Sequence, residues 1–532
     1  MLLPVWERGC VRPFLYADCM TTSPQGSASP QGPGGLQTET ERTASAPSDP
    51  PGSVRVLNRS APARLAAPLL GTVGAQRFAR PDARSLASAS WALLGVLGLS
   101  VLVGLLLQAP CMSGGYELPR ASFRMCSSPV ALSLLGEAAP QAPGAISSGL
   151  PGFSLLTYWF TVAVSGALGA APAEGMAILL VLNSAAFAAM GAGMLVLVRR
   201  LGLPGHGASW AAVGFLSPVI VFSIGQSLEP VGVAAAVWAC VLLLGSRSTG
   251  SLVGAGALLA LAAAAGPLGL VVLLAVLLGT SRDRGQAALV LAGFALLTGL
   301  ILLADGRLPG RLSLWFADAI DRGSLASIAL AQDWSDATTL TTGLLVVWGL
   351  GLVALASLAI SRSMHRPVHT ALTAPEAASG PREEAASGAF RGEGARSAAA
   401  GDPEDQPSSN LPDRTALRAM EAADERAHMR RTALTLTAML GFSVIVAPGS
   451  STSLSLWLVP FAALMVPYLW VHAVWFFAEL GFALASHLAD AAAVDASTGL
   501  ADTWMSLFTL LRFLSLALVT AFALDELFRR SG

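Results

Sequence analysis

The chain has 532 residues, 54% of them hydrophobic and only 12% charged, about half the charged share of an ordinary soluble protein. A net charge of −1 leaves no basic field for nucleic acid. Every basic side chain is Arg, because the sequence holds no Lys, which excludes a P-loop Lys and a Schiff-base Lys.

Met1–Cys19 reads unlike the Ser-, Pro- and Gly-rich run after it, and Met20-Thr21-Thr22-Ser23 reads as the start. Residues 20–85 lack apolar periodicity and cannot bury enough surface to offset ordering entropy, so 1–85 is expected to be a disordered tail. Arg55, Arg59, Arg64, Arg77, Arg80 and Arg84 precede the first apolar block and place that tail in the cytoplasm. No cleavage pattern follows the block, which is therefore kept as an anchor.

Apolar segments follow at 86–108, 151–169, 174–198, 208–224, 228–245, 250–279, 286–304, 338–361, 432–448, 454–466, 468–486 and 503–524. Most have the length that crosses a ~30 Å hydrocarbon core at ~1.5 Å per residue. The expected fold class is all-α: a polytopic membrane bundle of about 12 helices with outer loops. Segment 250–279 breaks at Gly266-Pro267 and reads as two short helices, whereas 151–169 opens on Pro151-Gly152 and reads as a segment that enters without crossing. With those two readings, Arg199-Arg200, Arg247, Arg282, Arg284, Arg362, Arg366 and Arg529-Arg530 all fall on the cytoplasmic side, with both termini. Residues 86–361 then form a front membrane part with outer loops 109–150 and 305–337. Residues 362–431, rich in Ala, Ser, Glu, Arg and Pro, form a cytoplasmic linker whose end, 413–431, reads as a short charged helix, and 432–532 form a back membrane part.

Cys111 and Cys126 share the first outer loop, a compartment that permits disulfides. A bridge closing ~15 residues stabilises by ~3 kcal/mol through loop entropy; the alternative is two unrelated thiols. Glu229, before Pro230 at an outer membrane edge, is either a helix cap or a catalytic or sugar-binding acid. Glu479 and Arg512 are charges inside apolar spans at matching depth, so an ion pair is expected. It acts either as a helix clamp or, through Arg512, on a lipid phosphate. Residues 311–323, with Trp315 and Phe316 on one side and charges on the other, read as an interfacial helix. There is no H-E-x-x-H, no Walker motif and no Cys/His cluster with metal spacing, and the six His are scattered singly.

The loop Pro110-Cys111-Met-Ser-Gly-Gly115 … Cys126-Ser127-Ser128, then Leu150-Pro151-Gly152, resembles the start of actinobacterial membrane glycosyltransferases of family 87. Those carry a PC…GG…CYSD loop and a YPVLTG-like segment. Ser217-Pro218 before Glu229 resembles their SP…NWD stretch, and 250–278 their LAG…GL…AAK…P block. Asp321-Arg322-Gly323 resembles an ERG loop, and Ser451 … Leu456-Trp457-Leu458-Val459-Pro460 resembles SPQYVLWLVP. Trp475 … Glu479 and Leu510-Leu511-Arg512 resemble WQAAE and LLR elements. The resemblance implies a GT-C bundle with its site at the outer face. Its substrates are a polyprenyl-phosphate sugar (usually mannose) as donor and an envelope glycolipid or glycan as acceptor, with membrane lipids around them. No metal or cofactor is implied beyond the lipid-linked donor, and Arg322, Trp457, Glu479 and Arg512 fall at substrate-binding positions. The acid of CYSD falls at Pro129, the Lys of AAK near Gly266 and the Gln of SPQY at Ser453. Either Glu117 or Glu229 therefore serves as the base, or the chain is a non-transferring descendant that binds lipid-linked sugar or a partner envelope enzyme. A transporter ranks last, for want of an inverted repeat.

Overall fold

The computed structural model describes residues 83–134, 155–168, 172–201, 214–245, 248–281, 283–304, 320, 323–364, 414–449, 451–495, 497 and 499–529. Among these, the regular structure is entirely helical. In chain order the helices are α1 (Ala83–Gly114), α2 (Arg120–Phe123), α3 (Pro129–Leu134), α4 (Leu155–Leu168), α5 (Pro172–Arg200), α6 (Pro218–Ser223), α7 (Glu229–Gly245), α8 (Thr249–Ala265) and α9 (Leu268–Thr280). Then come α10 (Arg284–Ala304), α11 (Leu325–Ala331), α12 (Ala337–Met364), α13 (Arg414–Val446), α14 (Thr452–Ser455), α15 (Val459–Met465), α16 (Leu469–Val494) and α17 (Asp502–Arg529).

Among the described residues, seven stretches are long and apolar enough to cross a membrane: Ser90–Gly114, Ala173–Arg200, Arg284–Ala304, Ala337–Ser361, Asp424–Val446, Leu469–Val494 and Asp502–Arg529. A helix satisfies its own backbone groups, which is what apolar surroundings require. Boundaries fall where side chains supply the missing partners. Ser248 caps α8 by accepting from Ser251 N. Asp336 precedes α12, accepting from Thr339 N at 2.9 Å and from its hydroxyl at 2.6 Å, and these bonds hold its carboxyl below the usual carboxylate range. Gly266 ends α8 and Pro267 opens α9, the break expected from Gly266-Pro267.

One row of contacts runs α1–α5–α7–α8–α10, and a second runs α9–α13–α17–α16, with α12 also on α13. The rows join at α8–α9, through α6 on α1 and α14 on α6, and through α16 on α2 and α6. Phe187, Met190, Phe215, Ile220 and Trp457 are among the large side chains buried between them. Helices α8 and α10 approach closely. A Cβ at Gly256 would overlap the Val290 carbonyl oxygen, and one at Gly293 the Val253 carbonyl oxygen. Two glycines thus let two backbones touch, as small residues do between membrane helices. Because the obstacle is backbone, Gly293→Val is expected to cost about 1–3 kcal/mol, seen as a lowered midpoint of thermal unfolding in detergent; an unchanged midpoint would show that the helices separate freely.

The two ends of the bundle differ. At one end Arg200 donates to the Val241 carbonyl, Arg430 donates to Leu201 O at 3.1 and 2.9 Å, and His428 Nε2 lies 2.8 Å from Gly279 O. The opposite end carries the Cys111–Cys126 bridge, the start of α7 and the α8–α9 break.

Several elements depart from expectation. Helix α1 runs through Pro110 to Gly114, so Cys111 lies in its last turn rather than in a loop. Segment 151–169, expected to enter without crossing, yields α4, whose 14 residues span only about 21 Å; this is no departure, and α4 meets the bundle at the start of α7 and the ends of α8 and α10. Segment 454–466 is two helices, α14 and α15, with Pro460 in the first turn of the second. The charged stretch before residue 432 is not a separate helix: α13 is continuous over 33 residues. The 1–82 tail, the 365–413 part of the linker, and the interfacial segment 311–319 with Arg322 lie outside the described residues.

Candidate functional site at the disulfide end of the bundle

Cys111 and Cys126 are bridged, with Cα atoms 6.2 Å apart, and the stapled loop packs Tyr116, Ala121 and Val130 against Met176 and Leu179 of α5. Burial pushes the Tyr116 phenol up to about 12. Directly after the bridge, the Ser127 hydroxyl lies 2.6 Å from His487 Nδ1 on α16. Ser128 donates to Gly225 O at 2.5 Å and Gln226 Nε2 to Ser127 O at 2.9 Å. From α5, Asn183 Nδ2 donates to Ile224 O and Ser227 O at 2.7 and 2.9 Å; from α4, Thr157 Oγ1 accepts from Leu228 N at 2.9 Å. The 224–228 turn is therefore fixed by the stapled loop, α5 and α4 together, and it delivers Glu229.

Glu229 is 3% exposed. Its carboxyl faces the Ser453 hydroxyl and the Trp457 indole, yet Glu229 Oε2 and Trp457 Nε1 reach no partner in full hydrogen-bond geometry. We read these contacts as close approaches. Trp457 is held by glycines: Gly232 and Gly266 pack on its ring so closely that a Cβ at either would lie 3.0 Å from it.

Helix α14 links this carboxyl to a second one. Ser451 and Ser453 hydroxyls are 2.8 Å apart. Ser455 donates to Glu479 Oε1 at 2.6 Å, as does Trp475 Nε1 at 3.0 Å. Arg512 Nε lies 3.1 Å from both oxygens of Glu479. Arg512 Nη2 also donates to Ser451 O and Ser455 Oγ, both at 2.7 Å, and the guanidinium sits 4.2 Å over the Phe482 ring. With side-chain exposures of 0% and 1%, this is a desolvated pair with its hydrogen bonds supplied locally.

The structure thus gathers Glu229, Trp457, Glu479 and Arg512 around the short α14, and Ser453 and Ser455 bridge between them. Glu117 is exposed on the stapled loop and stands outside this buried group. Sequence reasoning passed over Ser127, His487, Ser453 and Ser455. The alternation Ser451-Thr-Ser453-Leu-Ser455 in an apolar segment was a signal, as were the motif positions of Ser127 and Ser453; a His isolated in sequence offered none. Among the described residues no group of His, Cys, Asp and Glu is placed to hold a metal ion. Chemically, the arrangement offers a dry carboxyl able to take a proton from a hydroxyl, beside an aromatic wall. The chain matches no family model, no curated protein and no solved structure.

Proposed function

We propose that this polytopic membrane protein is a GT-C-like glycosyltransferase, with its site at the disulfide end of the bundle. It takes a polyprenyl-phosphate sugar, mannose in the first instance, and transfers the sugar to an envelope glycolipid or glycan. Glu229 is the base that deprotonates the acceptor hydroxyl. One observation carries this reading: Glu229, Trp457, Glu479 and Arg512, drawn from separate motifs far apart in sequence, converge on one buried polar group. The test is transfer from radiolabelled polyprenyl-phosphate mannose to a membrane lipid acceptor by the purified protein.

A second reading, lipid-linked sugar binding without transfer, is favoured by the near-complete burial of Glu229 and the closure of Arg512 on Glu479. Absence of transfer with retained donor binding selects it.

The same proposal gives the chain about twelve passes: α1, α5, the return between α5 and α7 that includes α6, α7, α8, α9, α10, α12, α13, the α14–α15 pair, α16 and α17. Both termini are then cytoplasmic. The clustering of Arg199, Arg200, Arg284, Arg430, Arg431 and Arg529 at the end opposite the bridge supports that orientation. Single cysteines introduced beside Glu117 are expected to react with an impermeant thiol reagent in intact cells, and cysteines beside Arg199 to remain unlabelled; the reverse pattern refutes the orientation.

A further inference from the structure

At the arginine-bearing end, far from the Glu229 group, α9, α12, α13 and α17 enclose a cleft of about 40 Å³. A cavity holds one water at about 10–15 Å³, so this one admits a small cluster of oxygen-sized groups. Arg431 lines it. Among the described residues the Arg431 guanidinium has neither a carboxylate nor a hydrogen-bond partner.

The nearby candidates are already engaged. On α17, which contributes Leu527 to the wall, Asp525 holds Arg529 at 2.7 Å and Glu526 accepts from Tyr468 at 3.2 Å. Arg430 is turned away onto Leu201 O. Thr435, 5% exposed, also lines the cleft, one turn after Arg431 on the same face of α13. The third polar group is His428, whose Nε2 must carry the proton it gives to the Gly279 carbonyl, since a carbonyl only accepts. Ala359 and Leu527 close the sides with hydrocarbon.

An unneutralised guanidinium, a cleft-lining hydroxyl one turn away and apolar walls between membrane helices match a phosphate that carries acyl chains. We propose that this cleft binds the phosphate of an anionic membrane phospholipid, Arg431 pairing with the phosphate oxygens and Thr435 donating a hydrogen bond to it. The site is independent of the transfer reaction proposed above.

The test uses the full-length protein in neutral detergent, with phosphatidylglycerol, phosphatidylcholine or inorganic phosphate added at equal phosphorus. Retained lipid is counted by native mass spectrometry, and thermal unfolding is followed in parallel. Phosphatidylglycerol is expected to stay bound and raise the unfolding midpoint, and phosphatidylcholine to do neither. Arg431→Gln is expected to weaken phosphatidylglycerol binding at least about tenfold, the scale of one lost charge-assisted bond. Ala359→Leu fills the cleft without touching its polar groups and is expected to do the same, so it carries the test should Arg431→Gln not fold. Equal retention of the two lipids, or unchanged binding in both variants, overturns the site. Stabilisation by inorganic phosphate as large as that by the lipid overturns its assignment to a lipid.

Discussion

Replacing Arg512 by Met alone is expected to destabilise the protein by about 3–5 kcal/mol, because Glu479 is then left charged, buried and unpaired. The same holds for Glu479→Leu, which strands the guanidinium between Ser451, Ser455 and Phe482. The double variant Arg512→Met with Glu479→Leu is expected to recover most of the loss, since well-packed apolar residues replace a buried pair at little or no cost. Thermal unfolding of the three variants in one detergent forms the cycle that isolates the coupling. Additive losses would show that the two charges do not depend on each other. If Arg512 instead contacts the donor phosphate, the double variant also loses donor binding despite its restored stability, so one set of proteins separates the helix clamp from the binding role.

Glu229→Gln is expected to lower sugar transfer by about 10²–10⁴-fold, the usual contribution of a positioned base. The amide keeps the shape of the side chain, so the Trp457 and Ser453 neighbours need not move and folding is retained. Glu117→Gln is expected to leave the rate unchanged, because that side chain is exposed and lies apart from the buried group. Initial rates of mannose transfer by wild-type and variant proteins check both. Full activity in Glu229→Gln combined with loss in Glu117→Gln would transfer the base to the stapled loop.

Much of the architecture was legible because it rests on local signals. Runs of apolar residues mark α1, α5, α10, α12, α16 and α17, and Gly266-Pro267 marks the α8–α9 break. Matching burial depth along two helices was enough to pair Glu479 with Arg512, since an intramembrane charge must find its opposite. What failed was local in another sense. The 454–466 run reads as one apolar segment, so its division into α14 and α15 is invisible in the sequence, as is the bond from Arg512 to the Ser451 carbonyl just before α14. Likewise Ser127 and His487 are 360 residues apart, and no spacing rule connects them. The long reach of the stapled loop to Gly225, Gln226 and His487 is a property of packing between elements, which periodicity does not encode.

The bridge between Cys111 and Cys126 has a consequence for how the molecule is made. Thiols stay reduced in the cytosol and oxidise beyond it, so in the orientation proposed above the bridge closes only after the end of α1 has been exported. That happens early in synthesis, long before α16 has left the ribosome. In that orientation the loop is expected to lock before His487 is made, so that His487 arrives at a finished surface. The first-made stapled loop is then expected to act as a mould for the last two helices, and a chain whose bridge closes late to assemble its Glu229 turn without that template.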